Sequence, residues 1–482
     1  MKMPDMEKLL DIGIAFTTEK DIDSLFVIIL NAVMDITGCD GGTLYLLRDD
    51  ALWFQVMITR SLGLQRGPGG DTIDLPPVPL SRQNVCSRAA LDKTLINVEN
   101  IYTSESFDFT GAKKYDALTG YKTVSMLTVP MEDDHGDVIG VLQLINAMDE
   151  GGAVVPFAPG YNRVLSSVAS QGAICLTNRN YAAEVSELLD SFVRAISAAI
   201  DARSPYNANH TRNMTRYGQK FVSWLNASGA EAFDDERERQ FLMSIWLHDI
   251  GKLAVPLAVM DKESRLGDKL ERVQNRLQRL RLQSEIDFLR ETIDLAAHKK
   301  RLSDLDHARA LVEDANQAGF LPDGTLEEIG ALGKKTMPGP DGEEALLTPD
   351  ELTCLTVRRG TLTDEERRVM EGHVLITRRM LSEVRFPKNY RSVPGWASAH
   401  HEYLNGKGYP DGLTAETLPT ETRMLTILDI YDALTARDRP YKPALPTEKA
   451  FSILEGMAEQ GQLDGRLLGL FKQSGAWVAA NI

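Results

Sequence analysis

The chain is short of cysteine, of positive charge and of long apolar runs. Its four cysteines, Cys39, Cys86, Cys175 and Cys354, stand far apart with no CxxC pair. That excludes a zinc ribbon and a disulfide framework and fits a reducing compartment. Lysine and arginine number 53 against 69 aspartates and glutamates, a net charge of -16. Such an excess of acid excludes a general DNA or RNA coat and a polybasic membrane anchor, because both need a cationic surface to neutralise phosphate. No window approaches a membrane-spanning length, and Asp5, Glu7 and Asp11 interrupt the stretch where a secretory signal needs an apolar run. A cytoplasmic protein with neither membrane nor nucleic-acid polymer as partner is expected. What is present is 482 residues, 43% hydrophobic and 25% charged, the proportions of globular cores at a length that predicts more than one domain.

Up to about residue 180, short β-rich runs alternate with turn chemistry. GGTLYLLRDDALWFQVMI and KTVSMLTVPM read as strands, and Glu132 to Asp137 form a hairpin-type turn before Val138, Val141 and Leu142 resume. Helical spacing of Leu25, Ile28, Ile29 and Val33 before the strands, and of Val164, Val168 and Ile174 after them, places helices over one face of an antiparallel sheet. Residues 1–180 are therefore expected to be an α+β domain. Val185, Leu188, Leu189, Phe192, Ile196 and Ile200 then mark a connecting helix, 181–203, with an apolar stripe suited to a parallel homodimer. Residues 204–482 read as all-α. Within them, 262–358 is charged and leucine-periodic through Leu270, Val273, Leu277 and Leu280, with Leu282, Ile286, Leu289 and Ile293 continuing after a phase slip. It reads as an inserted helical arm, and KKTMPGPDGEE within it as a loop. Its run Arg272, Arg276, Arg279, Arg281 is interleaved with Glu271, Glu285 and Asp287, the pattern of a solvated helix face.

Histidine is scarce, eight in all, and five fall in the helical half in acidic or glycine-rich company: His210, His248, His373, His400 and His401. In WLHDIGK an imidazole and a carboxylate leave the end of an apolar helix together. The aspartate can bridge two cations, His400-His401 adds two nitrogen donors, and Asp429 in ILDIYDAL supplies a further carboxylate. Each alone has an ordinary reading, a surface or capping pair; their joint occurrence in one helical domain points to a metal centre. His298 and His307, both in the arm, read as solvated.

The strings His248-Asp249-Ile250-Gly251-Lys252, His400-His401-Glu402, Gly406-Lys407-Gly408-Tyr409-Pro410-Asp411-Gly412, Asp429-Ile430-Tyr431-Asp432 and Arg439-Pro440-Tyr441-Lys442 resemble the HD-GYP family, a branch of the HD metal-dependent phosphohydrolases. The resemblance covers residues 200–260 and 360–445. It implies hydrolysis of cyclic di-GMP to the linear dinucleotide, and sometimes to GMP, at a centre of divalent iron or manganese. Carried over by position, the metal ligands are His210, His248, Asp249, His373, His400, His401 and Asp429, and Lys252 touches phosphate. Members with three metals carry glutamate four residues before the first histidine, where this chain has Tyr206, so two metals are expected. Two cations about 3.5–4 Å apart suit in-line attack on a phosphodiester. Lys252 would offset charge on the phosphoryl oxygens, and Gly406 and Gly408 would let backbone approach a flat dinucleotide beside Tyr409 and Pro410. Arg439 and Lys442 would meet the second phosphate.

Thr119 to Leu127 with Val141 to Asn146 resemble a GAF domain of the cyclic-nucleotide phosphodiesterase kind. Two uses stay open: binding of a cyclic nucleotide or other ligand, and dimerisation with signal relay alone. The expectation is a GAF sensor regulating a metal-dependent cyclic di-GMP phosphodiesterase. A phosphodiesterase for another cyclic dinucleotide such as cyclic GMP-AMP, and a cyclic di-GMP receptor acting through protein contact at the 262–358 arm, are the alternatives.

Overall fold

The computed structural model describes residues 3–19, 21–203, 209–436 and 444–478, and the chain divides into two compact units at Leu188/Leu189. Among the described residues no helix is long and apolar enough to cross a membrane.

In the N-terminal unit, β-branched and aromatic runs pair as an antiparallel sheet. Its spatial order is Leu64–Arg66, Ala51–Thr59, Cys39–Arg48, Val138–Met148, Met126–Glu132, Ile96–Val98. The turn expected at 132–137 joins Met126–Glu132 to its neighbour Val138–Met148: the Asp133 side chain accepts from the backbone of His135 and Asp137, and Gly136 takes φ +78. The helix Ile22–Thr37 starts on Asp21, which caps the Ser24 N–H, and lays Leu25, Ile29, Leu30 and Val33 on the sheet. Its approach is close enough that a Cβ on Gly42 would come within 2.8 Å of Leu30 Cδ1. Val168, Ala169, Ala173 and Leu176 of a following helix close the same core. That helix is continuous from Asn162 to Arg203, 42 residues, so the expected connecting helix is its last part. Asn146, from the second string of the GAF resemblance, holds the first string in place by donating to Tyr121 Oη and the Lys122 carbonyl and accepting from the Val124 N–H. A cavity of about 300 Å³ opens in this unit beside Tyr45, Phe54, Phe109 and Gln143.

The C-terminal unit is mostly helical. Helices His210–Ser228, Asp235–Leu247, Thr420–Thr435, Thr447–Glu459 and Gly465–Ser474 share a core of Met214, Phe221, Phe241, Leu428, Tyr431 and Phe471. The 262–358 stretch folds as a helical hairpin, Lys269–Leu289 and Leu295–Gln317, in which Val273, Leu277 and Leu280 meet Leu305, Ala308 and Val312. Four expectations are corrected here. KKTMPGPDGEE is not a loop: Thr336–Gly339 and Gly342–Ala345 form a two-stranded hairpin, its turn at Pro340-Asp341. Leu282, Ile286 and Leu289 continue no buried stripe but face outward, because the phase slip turns them off the hairpin seam. The arginine run is only partly solvated: Arg276 reaches Glu351 with both terminal nitrogens, at 2.5 and 2.9 Å, while Arg279 and Arg281 pair with Glu344 and Asp306. His298 is half-buried, stacked on Phe288 at 4.9 Å and hydrogen-bonded to Ser284, whereas His307 is exposed.

Candidate metal centre

The seven ligands expected from the sequence come from five separate places in the helical unit, and the fold brings all of them together. His210 opens its helix, His248 and Asp249 end theirs, His373 begins the helix His373–Ser382, His400 and His401 follow the short helix Val393–Ala397, and Asp429 lies inside Thr420–Thr435. Asp249 sits between two groups. Its Oδ2 lies 3.2 Å from His248 Nε2 and 3.6 Å from His210 Nε2, which is itself 3.4 Å from Asp429 Oδ1. Its Oδ1 lies 3.3 Å from His373 Nε2 and 3.9 Å from His400 Nε2. His401 closes the ring with Nδ1 at 3.8 Å from Asp429 Oδ2. His210, His248, Asp249, His373 and His400 are all at most 5% exposed.

Backbone carbonyls set the tautomers. His248 Nδ1 donates to the Ile245 carbonyl at 2.7 Å, His373 Nδ1 to Met370 at 2.6 Å, and His400 Nδ1 to Ala397 at 2.6 Å. A carbonyl can only accept, so each Nδ1 carries the proton and each Nε2 lone pair is left for the centre. His210 is oriented the same way by Asp432, which accepts from Nδ1 at 2.7 Å. Thr377 donates to the His248 carbonyl and accepts from the Gly251 N–H, and Thr426 donates to the His400 carbonyl. Gly251 has to be glycine: a Cβ there would fall 1.9 Å from the His373 carbonyl oxygen.

Electrostatics agree with a cation site. Burial pushes the Asp249 carboxyl up, but His248 and Lys252 outweigh it and hold it well below the ordinary range. Asp429 is likewise held far down, burial being overcome by His210 and the neighbouring imidazoles. Burial, with His401 and His248 close by, drives His400 well below its ordinary value, and burial takes His401 to about 4. Both are neutral donors at pH 7. His210 is the exception: burial opposes its charge, yet Asp429 and Asp432 raise it to about 10, so its proton must leave before Nε2 can act as a ligand. Asp249 Oδ1, His373 Nε2 and His400 Nε2 are buried with no hydrogen-bond partner. Three buried orphans converging on one point are costly unless something occupies it, and an imidazole and carboxylate set of this kind suits divalent transition metals. The residues fit the implied metals.

Of the remaining expected residues, Lys252 Nζ stands at the centre, 2.6 Å from Asp249 Oδ2. Tyr409 stacks on His401 at 4.8 Å, after a loop that holds Gly408 and before Pro410. Gly408 is explained by packing and not by ligand approach, since a Cβ there would meet Tyr403 N at 2.4 Å and Glu402 Cα at 2.5 Å. Arg439, Lys442 and Tyr206 lie outside the described residues. Sequence reasoning missed Asp432, Thr377 and Thr426 as supports. Each stands three or four residues from a ligand on one helix, Asp429, His373 and Asp429 respectively, and that spacing was the available signal.

Residues 21–176 match the GAF domain family and residues 345–467 the HD domain family. The second range holds His373, His400, His401 and Asp429 but stops short of His210, His248 and Asp249, which the fold brings to the same centre. The "3'3'-cGAMP-specific phosphodiesterase 3" of Vibrio cholerae is 31% identical over 163 residues, 33% of this chain and 31% of that protein. The "Cyclic di-GMP phosphodiesterase response regulator RpfG" of Xanthomonas campestris is 38% identical over 109 residues, 22% of this chain and 27% of that one. The "Cyclic di-GMP phosphodiesterase" of Thermotoga maritima is 35% identical over 104 residues, 22% and 28%. The chain thus spans less than a third of the length of each of these relatives. The chain thus carries a region similar to GAF domains followed by a region similar to HD domains, and the assembled histidine centre draws four of its residues from the second.

Proposed function

We propose that the C-terminal unit is a metal-dependent phosphodiesterase that opens cyclic di-GMP to linear pGpG, and onward to GMP, under the control of the GAF domain. The observation that carries this is Asp249, whose two oxygens each face a separate set of imidazole nitrogens. A shared carboxylate between two donor sets is the arrangement that binds a pair of cations. Two divalent ions held there, iron or manganese, would activate water and neutralise charge on the phosphoryl oxygens. Asp249 and Asp429 bring the negative charge that selects cations, the three carbonyl-oriented histidines present fixed lone pairs, and His210, held by Asp432, would present its own once its proton leaves. Lys252, 17% exposed, is poised at the mouth to turn from Asp249 to a phosphoryl oxygen. His401 and Asp429, 23% and 13% exposed, mark the open side of the centre, where Tyr409 offers a ring to the substrate and Gly408 and Pro410 shape the loop beneath it. Arg439 and Lys442 are proposed to meet the second phosphate.

The names of the relatives divide between cyclic di-GMP and 3'3'-cGAMP, so cyclic GMP-AMP is the second substrate to test. In the N-terminal unit, the cavity is lined by one charged residue, Asp108, and by no lysine or arginine. Hydrogen bonds from Thr110 hold the Asp108 carboxyl below its ordinary value. This favours an uncharged sensor ligand over a cyclic nucleotide. The exposed stripe Tyr181, Val185, Leu188 and Phe192 favours a homodimer, and the exposed Leu282, Ile286, Leu289 and Leu295 at the end of the arm favour a protein partner there. A cytoplasmic location accords with the four unbridged cysteines. The deciding experiment is turnover by anaerobically purified protein, with metal counted on the same sample and cyclic GMP-AMP run in parallel. Hydrolysis of cyclic di-GMP with about two metals per chain is expected; tight binding without turnover in a metal-loaded sample would refute the enzyme reading.

A further inference from the structure

Glu402 directly follows two histidines of the centre and is only 2% exposed, yet its carboxylate is spent on backbone. Oε1 accepts from the Asp411 N–H at 2.6 Å and Oε2 from the Leu413 N–H at 2.9 Å. Both amides belong to the loop that carries Tyr409. The same loop is held at three more points. The Tyr409 N–H donates to the His401 carbonyl at 3.1 Å. Gly408 lies so close to Glu402 and Tyr403 that no side chain fits. Arg378 pairs with the Asp411 carboxylate through both terminal nitrogens, while its Nε donates to Ser398 Oγ at 3.4 Å. Arg378 sits on the helix that His373 begins, so the pair ties the loop to an element that also supplies a ligand. The result is one ring held over another: Tyr409 lies on His401, with 4.8 Å between centroids and 29° between planes, at the less buried side of the centre.

We propose that Glu402 and Arg378 are positioning residues that set Tyr409 as a fixed wall at the substrate face of the centre, and that Glu402 is not itself a metal ligand. The inference rests on the phosphodiesterase reading, because it gives Tyr409 a base or ribose of a cyclic dinucleotide to hold. A carboxylate buried against two amides is a charge-assisted anchor, and the Arg378 and Asp411 side chains, 40% and 39% exposed, form an outer latch that can be changed without opening the core. The loop is thus clamped from inside and from outside, and the wall costs the substrate no ordering entropy when it binds.

The test uses the full chain with its metals. Arg378→Ala and Asp411→Ala should each raise KM for cyclic di-GMP by about tenfold, the effect of about 1.4 kcal/mol, while kcat stays within about threefold. The exchanged pair, Arg378→Asp with Asp411→Arg, should bring KM back towards the parent value. Glu402→Gln should leave the metal content unchanged and make the amides of residues 406–413 exchange hydrogen at least about tenfold faster, since Gln keeps only one acceptor oxygen. Unchanged exchange in Glu402→Gln and Arg378→Ala alike, a fall in kcat with KM untouched, or loss of metal from Glu402→Gln would each overturn the proposal. If the parent protein turns over no cyclic dinucleotide, the phosphodiesterase reading falls by itself, and the exchange measurement, made without substrate, still decides whether the clamp exists.

Discussion

Asp249 and Lys252 are three residues apart and in contact, but their removal should have different consequences. Asp249→Ala takes an oxygen from both halves of the centre, so metal content should drop to near zero and turnover with it. Lys252→Ala leaves every expected ligand in place; metal content should hold while kcat falls by about 10²-fold, the scale of losing one electrostatic stabiliser. Metal analysis and turnover on the same preparations separate the two, and retained turnover in Asp249→Ala would end the metal mechanism. Asp432 tests the support of the centre. It touches the ring of His210 from behind, and its other oxygen, Oδ1, is buried without a partner. Asp432→Ala should weaken metal affinity by about 10- to 100-fold, read by competition with a chelator, while Asp432→Asn, which keeps an acceptor for Nδ1–H, should lose less.

At the scale of elements, long-range ion pairs tie together segments of the arm that also share a hydrophobic core. Arg276 on Lys269–Leu289 meets Glu351, which is itself the capping residue of the helix Pro349–Leu355 with Thr348. Burial pushes the Glu351 carboxyl up, but Arg276 and the Thr348 N–H hold it below its ordinary 4.5. Its folded value is therefore depressed, so the stability it brings is complete above about pH 4.5 and is lost as pH falls through the folded value. Glu366, paired with Lys262 and capping through Thr363, is shifted in the same direction. Calorimetry should accordingly show Glu351→Gln with a shallower loss of stability on acidification, not an abolished one, and Arg276→Met should flatten it similarly; an unaltered slope in both variants would show that the pair does not hold the arm. These ties explain what the sequence could not reveal. The helix periods of the arm were legible because each is local. The 75-residue reach from Arg276 to Glu351 was not, and a Pro-Gly segment that read as a loop became a hairpin because the arm gives Met337 a core to bury against.

For the whole molecule, the centre was legible because histidine is rare and five of its seven positions in the helical half stand at or beside helix ends, where side chains of distant segments can converge. The strings HDIGK, HHE and the Asp429 run named five of the seven ligands and the resemblance the other two, His210 and His373, whereas the supports lay among ordinary threonines and a second aspartate whose role depends on which helix faces which. Burial separates the two halves of the long helix in the same way. Leu189, Val193, Ile196 and Ile200 pack within the C-terminal unit, and another stripe on that helix is left outside it: Tyr181, Val185, Leu188 and Phe192, all exposed. Their spacing of four, three and four residues is the seam of a two-stranded coiled coil, which makes a second copy of this chain the natural occupant. Burying such side chains stabilises by about 1.5–3 kcal/mol each, so replacing two of them by charge should weaken self-association by at least about 100-fold. The parent protein should sediment as a dimer at micromolar concentration, and Val185→Lys with Phe192→Glu as a monomer of unchanged helicity. A parent that sediments as a monomer, or a dimer that the double substitution leaves intact, would remove this helix as the dimer seam and with it the route by which a GAF ligand could act on the paired catalytic units.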